Sequence, residues 1–280
     1  MEEKRTLRCG NQVIELNNPR VMGILNATPD SFYAPSRTGI LVENAVENAR
    51  QMVSDGAAIL DVGGMSTRPG ADEISEKEEL SRVIPVIEAI HSTLPEAILS
   101  IDTYRSGVAN EACKAGATMI NDVSGGQADE NIFGIVAQFQ AAYVLMHRKG
   151  TSKTMQELTD YEDLIPDLIK FFVNQLRVLH RIGVHDILLD PGFGFAKTPE
   201  QNYRLIGQLN SFKLLGHPIL VGLSRKSTLS KTIGRPAEET LFATTALHMA
   251  ALQNGASILR VHDVRPAMDT IAVYKQLTLT

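Results

Sequence analysis

The stretch "RVMGILNATPDSF", residues 20–32, sets the fold question for the whole chain. Val21, Met22, Ile24 and Leu25 form an apolar run suited to a strand covered on both faces, the kind found in parallel sheets. An amide, Asn26, follows directly, and a Thr-Pro-Asp-Ser turn comes after it. At a single strand tip an Asx-turn explains such an asparagine. Here the pattern recurs.

Further short apolar runs stand at 58–62, 97–102, 118–121, 142–146, 186–190, 218–222 and 257–261. Helical patterns lie between them, near 41–55, 77–92, 105–115, 130–139, 162–181, 199–209, 237–253 and 265–277. The clearest begins "YEDLIPDLIKFFVNQL", where Ile165, Leu168, Ile169, Phe172, Leu176 and Leu179 recur at helical spacing. Pro166 falls in its first turn, where a missing N–H costs little. Strand–helix alternation sustained this long requires parallel pairing through crossovers. Eight such units close most economically into an α/β (β/α)8 TIM barrel, with a doubly wound open sheet as the runner-up. Residues 7–17, "LRCGNQVIELN", carry a Gly-Asn pair between two β-like runs and predict a short N-terminal β-hairpin capping the barrel bottom. No proline-, serine- or glycine-rich linker divides the 280 residues, so 1–280 reads as a single domain.

Composition narrows the function. A hydrophobic content of 44% supplies a large core, and the formal net charge of -5 supplies no bulk basic field for nucleic acid or an acidic membrane. Any anion must be bound by a local cluster. The opening "MEEKRTLRCG" lacks the apolar core of a signal peptide, and no apolar run approaches the roughly 20 residues of a membrane span. Cys9 and Cys113 form neither a disulfide framework nor a metal-ligand spacing, so a reducing cytoplasm is expected.

In a barrel the C-terminal strand ends share one face, and active sites are built there. The eight ends here read Asn26; "DVGGMSTRPGA" with Asp61, Ser66, Thr67 and Arg68; "SIDTYR" with Asp102; "INDVSGG" with Asn121 and Asp122; "VLMHRKG"; "LLDPGFGFAKT" with Asp190; "VGLSRKS"; and "LRVHDV". Each alone is explained as well by a cap or a turn. Polar groups at all eight ends exceed what capping requires. Arg68, Lys226, Arg260 and His262 can gather on a multiply charged anion. Asp102, Asn121 and Asp190 offer acceptors to a planar, donor-rich heterocycle, and Met146 and Phe195 offer apolar contact to its ring. Ser-His-Asp order, zinc spacing and a Walker motif are all missing from the sequence.

In order along nearly the whole chain, "GILNATPDSF", "DVGGMSTRPGA", "SIDT", "INDVSGG", "DPGFGFAKT", "GLSRKS" and "ILRVHDV" resemble the dihydropteroate synthases, pterin-binding barrels of the folate pathway. The resemblance implies a transferase that condenses 6-hydroxymethyl-7,8-dihydropterin pyrophosphate with p-aminobenzoate, uses Mg2+, is inhibited by sulfonamides and forms a homodimer. Carried over by position, Asp102, Asn121, Met146, Asp190 and Lys226 hold the pterin. Asn26, Thr67, Arg68, Arg260 and His262 bind the pyrophosphate, with Asn26 also the metal ligand. Phe32, Pro69, Phe195, Lys226 and Ser227 shape the p-aminobenzoate pocket. Asp102, Asp190, Lys226, Arg68 and Thr67 form the catalytic group.

Two departures stand out. The family's first loop usually continues Asp-Ser-Phe-Ser-Asp-Gly, whereas this chain has Tyr33, Ala34, Pro35 and Ser36 after Phe32. Met65 replaces the glutamate that usually precedes Ser-Thr-Arg-Pro. Two rival readings carry different chemistry. A methyltetrahydrofolate–corrinoid methyltransferase would need the pterin-binding Asp and Asn but no pyrophosphate cluster, against which "SRKS" and "RVHD" argue. A non-catalytic pterin-binding subunit would not need Asn26, Asp102, Lys226 and His262 together.

Overall fold

Residues two apart on a buried strand share one face, and in this chain that face switches from apolar to polar along the strand. The computed structural model describes residues 5–27, 38–65 and 73–278. Strands β1 (Thr6–Cys9) and β2 (Gln12–Glu15) pair antiparallel through the Gly10–Asn11 turn, with Leu7 opposite Ile14. The strands β3 (Arg20–Asn26), β4 (Ile59–Gly63), β5 (Ile98–Asp102), β6 (Met119–Asp122), β7 (Ala142–Met146), β8 (Ile187–Asp190), β9 (Leu220–Val221) and β10 (Ile258–Val261) form one parallel sheet. Its order is β8-β7-β6-β5-β4-β3-β10-β9. A parallel bridge between Leu189 and Ile219 joins the two ends, with Leu189 N donating to Pro218 O at 2.9 Å. The sheet is a TIM barrel.

Helices cover the outside: α1 (Thr38–Ser54), α2 (Glu76–Thr93), α3 (Ser106–Ala115), α4 (Ile132–Phe139), α5 (Leu164–Arg181), α6 (Pro199–Gly207), α7 (Ser227–Ile233), α8 (Leu241–Gln253) and α9 (Val264–Thr278). Leu164, Ile165, Leu168, Phe172, Leu176 and Leu179 bury the expected stripe of α5. Helix α6 begins with a full capping box, Thr198 and Gln201 bonding each other's backbone, and has proline at its first turn. No helix among the described residues is long and apolar enough to cross a membrane.

Four elements differ from the sequence reading, the first being a 3-10 helix, Leu209–Leu215, that follows the shortened α6 where the expected helix 199–209 was to end. The β9 strand keeps only Leu220 and Val221 of the expected 218–222, because Pro218 has no N–H to pair. The seven-residue α7, "STLSKTI", is too short to show a helical stripe. The expected helix from 237 starts instead as a 3-10 turn, Ala237–Glu239, in which the Thr240 hydroxyl donates to Ala237 O at 2.7 Å before α8 begins.

The barrel interior is plugged at its lower end. Met22, Ile59, Ile98, Met119, Leu188 and Ile258 form one buried apolar cluster with Leu7, Cys9 and Ile14 of the hairpin. The hairpin therefore closes the bottom as the Gly-Asn turn predicted.

Candidate active site

Two residues above that plug, the inward positions become polar. Ile59 is followed by Asp61, Ile98 by Ser100 and Asp102, Met119 by Asn121, Leu188 by Asp190, and Ile258 by Arg260 and His262. Strand register places Asn26 beside Gly63, Gly63 beside Asp102, Asp102 beside Asn121, and Met146 beside Asp190. The polar residues thus ring one mouth of the barrel.

Arg260 crosses that mouth. Its Nε donates to Asp61 Oδ2 at 2.6 Å and its Nη2 to Asp102 Oδ2 at 2.5 Å. Asn121 Nδ2 donates to the same Asp61 oxygen at 2.9 Å. Asp61 is wholly buried, and Asp102 and Asn121 nearly so. Asp61 Oδ1, Asp102 Oδ1 and Asn121 Oδ1 are buried and meet no donor among the described residues. Buried acceptors are costly unless something donates to them, so this mouth is built for a ligand rich in N–H groups. Burial pushes the Asp102 carboxyl up to about 7, while Arg260 pulls it down and Asp61 adds to the rise. Burial works against the Arg260 charge, but Asp61 and Asp102 outweigh it and hold the guanidinium charged more firmly than usual.

Lys226 and Asp190 act on each other electrostatically at the mouth. Burial pushes Lys226 down to about 8, opposed by Asp190 and Asp102. Burial raises Asp190, opposed by Lys226 and by the Gly192 N–H, which donates to Asp190 Oδ1 at 2.8 Å. The Lys226 ammonium donates to Phe193 O and lies 4.7 Å from the centre of the Phe195 ring. Gly192 has φ +74, and a Cβ there would stand 2.0 Å from His147 O, so glycine is required. The loop is pinned from inside by Lys197, whose buried Nζ donates to Gly192 O and Phe195 O, each at 3.1 Å, and pairs with His147 Nδ1 at 3.2 Å. Burial pushes Lys197 down to about 7, with Asp190 opposing, and pushes His147 down to about 2, with Lys197 adding.

On the β9–β10 side, Ser224 Oγ bonds His262 Nδ1 at 3.0 Å. Arg225 donates to both Asp263 oxygens, at 2.9 and 2.7 Å, so the loops after β9 and β10 are tied together. Arg225 takes φ +55, and its partly exposed side chain is tied to Asp263. Ser227 is exposed at the start of α7. Among the described residues no group of three or more His, Cys, Asp or Glu could hold a metal ion. A fully protein-built cage is therefore not on offer there. The half-buried Asn26 at the end of β3 presents one hard amide oxygen, which fits magnesium, a metal that commonly takes few protein ligands and completes its shell with phosphate oxygens and water.

Of the residues singled out in the sequence, Asn26, Asp102, Asn121, Met146, Asp190, Phe195, Lys226, Ser227, Arg260 and His262 come together on this face. Phe32, Thr67, Arg68 and Pro69, together with Tyr33, Ala34, Pro35 and Ser36, lie outside the described residues. Met65 is half-buried, with its Sδ 3.9 Å from the Tyr104 hydroxyl. Asp122, next to Asn121, points the other way: it accepts from Ser124 N, Gly126 N and the Tyr143 hydroxyl, each at 2.7 Å, and shapes the following turn. Asp61 was legible as a charge inside an apolar strand, yet nothing in its local sequence names its partners. Lys197 gave no signal beyond its place in "GFGFAKT".

Comparison with known proteins gives the same answer. The family model described as "Pterin binding enzyme" matches residues 22–262. A dihydropteroate synthase of Synechocystis sp. is 48% identical over 247 residues, 87% of this chain and 85% of that protein. The Yersinia pestis dihydropteroate synthase, solved as a sulfonamide drug complex, superposes with a TM-score of 0.92 at 36% identity, covering 98% of this chain and 100% of the other. The Xanthomonas albilineans dihydropteroate synthase, solved with 4-aminobenzoic acid, gives 0.90 at 38% identity over 99% of both chains. A polar barrel mouth of this make-up, in a chain this similar over this length, places the chain among the pterin-binding enzymes, in the dihydropteroate synthase family.

Proposed function

We propose that the chain condenses 6-hydroxymethyl-7,8-dihydropterin pyrophosphate with p-aminobenzoate to give 7,8-dihydropteroate and pyrophosphate. The observation that carries this reading is the set of buried acceptors without donors at the level of the mouth, Asp102 Oδ1 and Asn121 Oδ1. A pterin ring presents amino and ring N–H groups along one edge, and such a set suits that edge. Met146 and Lys226 would bound the ring, with Asp190 as a further acceptor. The pyrophosphate would lie toward Asn26, Arg260 and His262, joined by Thr67 and Arg68 from the second loop. Phe32, Pro69, Phe195, Lys226 and Ser227 would receive p-aminobenzoate, the molecule that sulfonamides imitate.

The residues suit a dissociative substitution. As the C–O bond to pyrophosphate breaks, positive charge spreads over the pterin, and Asp102 and Asp190 stabilise it. Arg260, His262 and Arg68 stabilise the negative charge that builds on the leaving group. The aromatic amine then attacks the exocyclic carbon as a neutral nucleophile, and the ammonium that forms gives its proton to water. No side chain is required to form a covalent bond to the pterin. Magnesium, held by Asn26 together with the pyrophosphate oxygens, would neutralise part of the leaving group's charge. We extend the reading to one catalytic domain spanning the chain, acting in the cytoplasm as a homodimer.

The test supplies the pterin pyrophosphate, p-aminobenzoate and magnesium, and follows pyrophosphate and dihydropteroate together. Equal release of both supports the reading. Well-folded protein that binds pterin but forms no product would identify a non-catalytic subunit. A pterin trapped covalently on a side chain during turnover would overturn the dissociative route.

A further inference from the structure

We propose that Asp61 is a specificity-determining positioning residue, which fixes the Asn121 amide so that the barrel mouth accepts, and does not offer, a hydrogen bond at that point. The proposal rests on the pterin reading above and adds a residue to which that reading gives no such role. An asparagine amide has nearly the same shape in either orientation, so its surroundings decide whether its oxygen or its NH2 faces a ligand. Asp61 decides it here. Its Oδ2, held by the Arg260 guanidinium at 2.6 Å, also meets the Asn121 amide at 2.9 Å. A carboxylate can only accept, so the group turned toward it must be the NH2. Asn121 Oδ1 is therefore turned away, buried and without a donor among the described residues.

Asp61 is suited to this work by its depth. It pairs in register with Ile24 and Ser100, two positions below the level at which Gly63, Asp102 and Asn121 align. Wholly buried, it acts from beneath the residues that face the ligand. Reversing the amide would set oxygen against oxygen at Asp61 and turn an NH2 toward the ligand's N–H edge. Both faces would then be mismatched.

The experiment measures calorimetric binding of 6-hydroxymethylpterin and of its counterpart lacking the 2-amino group. It compares the wild type, Asp61→Asn, and the double variant that combines Asp61→Asn with Asn121→Asp, a swap that exchanges the two groups and keeps the net charge. The wild type is expected to prefer the 2-amino compound by about 100-fold, because its acceptors go unmet by the other. In Asp61→Asn the amide at position 121 is no longer fixed, and the preference should fall to about tenfold or less. In the swap, the amide introduced at position 61 donates to the carboxylate introduced at position 121. The other oxygen of that carboxylate again faces the ligand, and the preference should return to within about threefold of the wild type. A merely structural role would weaken both ligands together and leave the ratio unchanged. An unchanged ratio in Asp61→Asn, or a folded swap that does not recover it, overturns the proposal. If Asp61→Asn does not fold, the swap decides by the same criterion. A wild type that binds neither pteridine overturns the pterin reading itself, and this proposal with it.

Discussion

Arg260 donates to Asp61 at 2.6 Å and to Asp102 at 2.5 Å, so one guanidinium joins β4, β5 and β10 across the top of the barrel. Removing it leaves two buried carboxylates without their countercharge. Arg260→Met should therefore lower stability by about 3–5 kcal/mol, read from urea unfolding. Arg260→Lys keeps the charge but not the planar fork, so it cannot serve both carboxylates at once. It should recover part of the stability while activity stays low. Wild-type stability in Arg260→Met would mean that the pair is not held as described.

Two titrations fall near neutrality, Asp102 pushed up to about 7 and Lys226 pushed down to about 8, each chiefly by burial. The pH profile of kcat/KM for the pterin substrate should be bell-shaped. On its acid side Asp102 gains a proton and loses an acceptor; on its alkaline side Lys226 loses its charge. The Asp102 shift acts on stability as well. Its folded value lies above the ordinary 3.8, so between those values the folded chain binds more protons than the unfolded one. This contribution is full below 3.8 and is lost as pH rises through about 7. Urea midpoints should accordingly fall in the wild type relative to Asp102→Asn across that window.

Lys226 is half-buried at the rim, bonded to Phe193 O and packed near Phe195, and it supports none of the apolar plug. Lys226→Met should lower kcat/KM by about 100-fold or more, a loss of about 3 kcal/mol of transition-state stabilisation. Its melting temperature should shift by only a few degrees. The alkaline side of the pH profile should disappear with it. Loss of folding in this variant would assign Lys226 to the scaffold.

The opposite end of the barrel should behave in the opposite way. Leu7 is fully buried among Met22, Ile59 and their neighbours beneath the site. Leu7→Ala should cost about 2–5 kcal/mol of stability and leave KM for both substrates near wild type while the protein is folded. A large KM change would show that the hairpin shapes the mouth from below.

The barrel was legible because strand, helix and strand end repeat with a constant chemical order. An apolar run that turns polar at its tip is what a strand plugged below and open above must look like. Asn26, Asp102, Asn121 and Asp190 stood out for that reason. Asp61 was equally visible as a charge between Leu60 and Val62, but its Arg260 partner lies 199 residues away and is brought to it by barrel closure. The same holds for Lys197, whose His147 partner is 50 residues distant. Local sequence shows which residues face inward. It does not show which of them bond one another, and so it could not separate Asn121, whose Oδ1 meets no donor among the described residues, from Asp122, which holds a turn.

In the proposed reaction, the polar mouth formed by Asp61, Asp102, Asn121, Asp190, Lys226 and Arg260 carries the condensation. The most direct measurement is 7,8-dihydropteroate formation from the pterin pyrophosphate and p-aminobenzoate with magnesium, by wild type and by Asp190→Asn at equal folded concentration. The wild type should form dihydropteroate and pyrophosphate in equal amounts, and the variant should be slower by about 100-fold while remaining folded. No product from folded wild type, or a wild-type rate in Asp190→Asn, would contradict it.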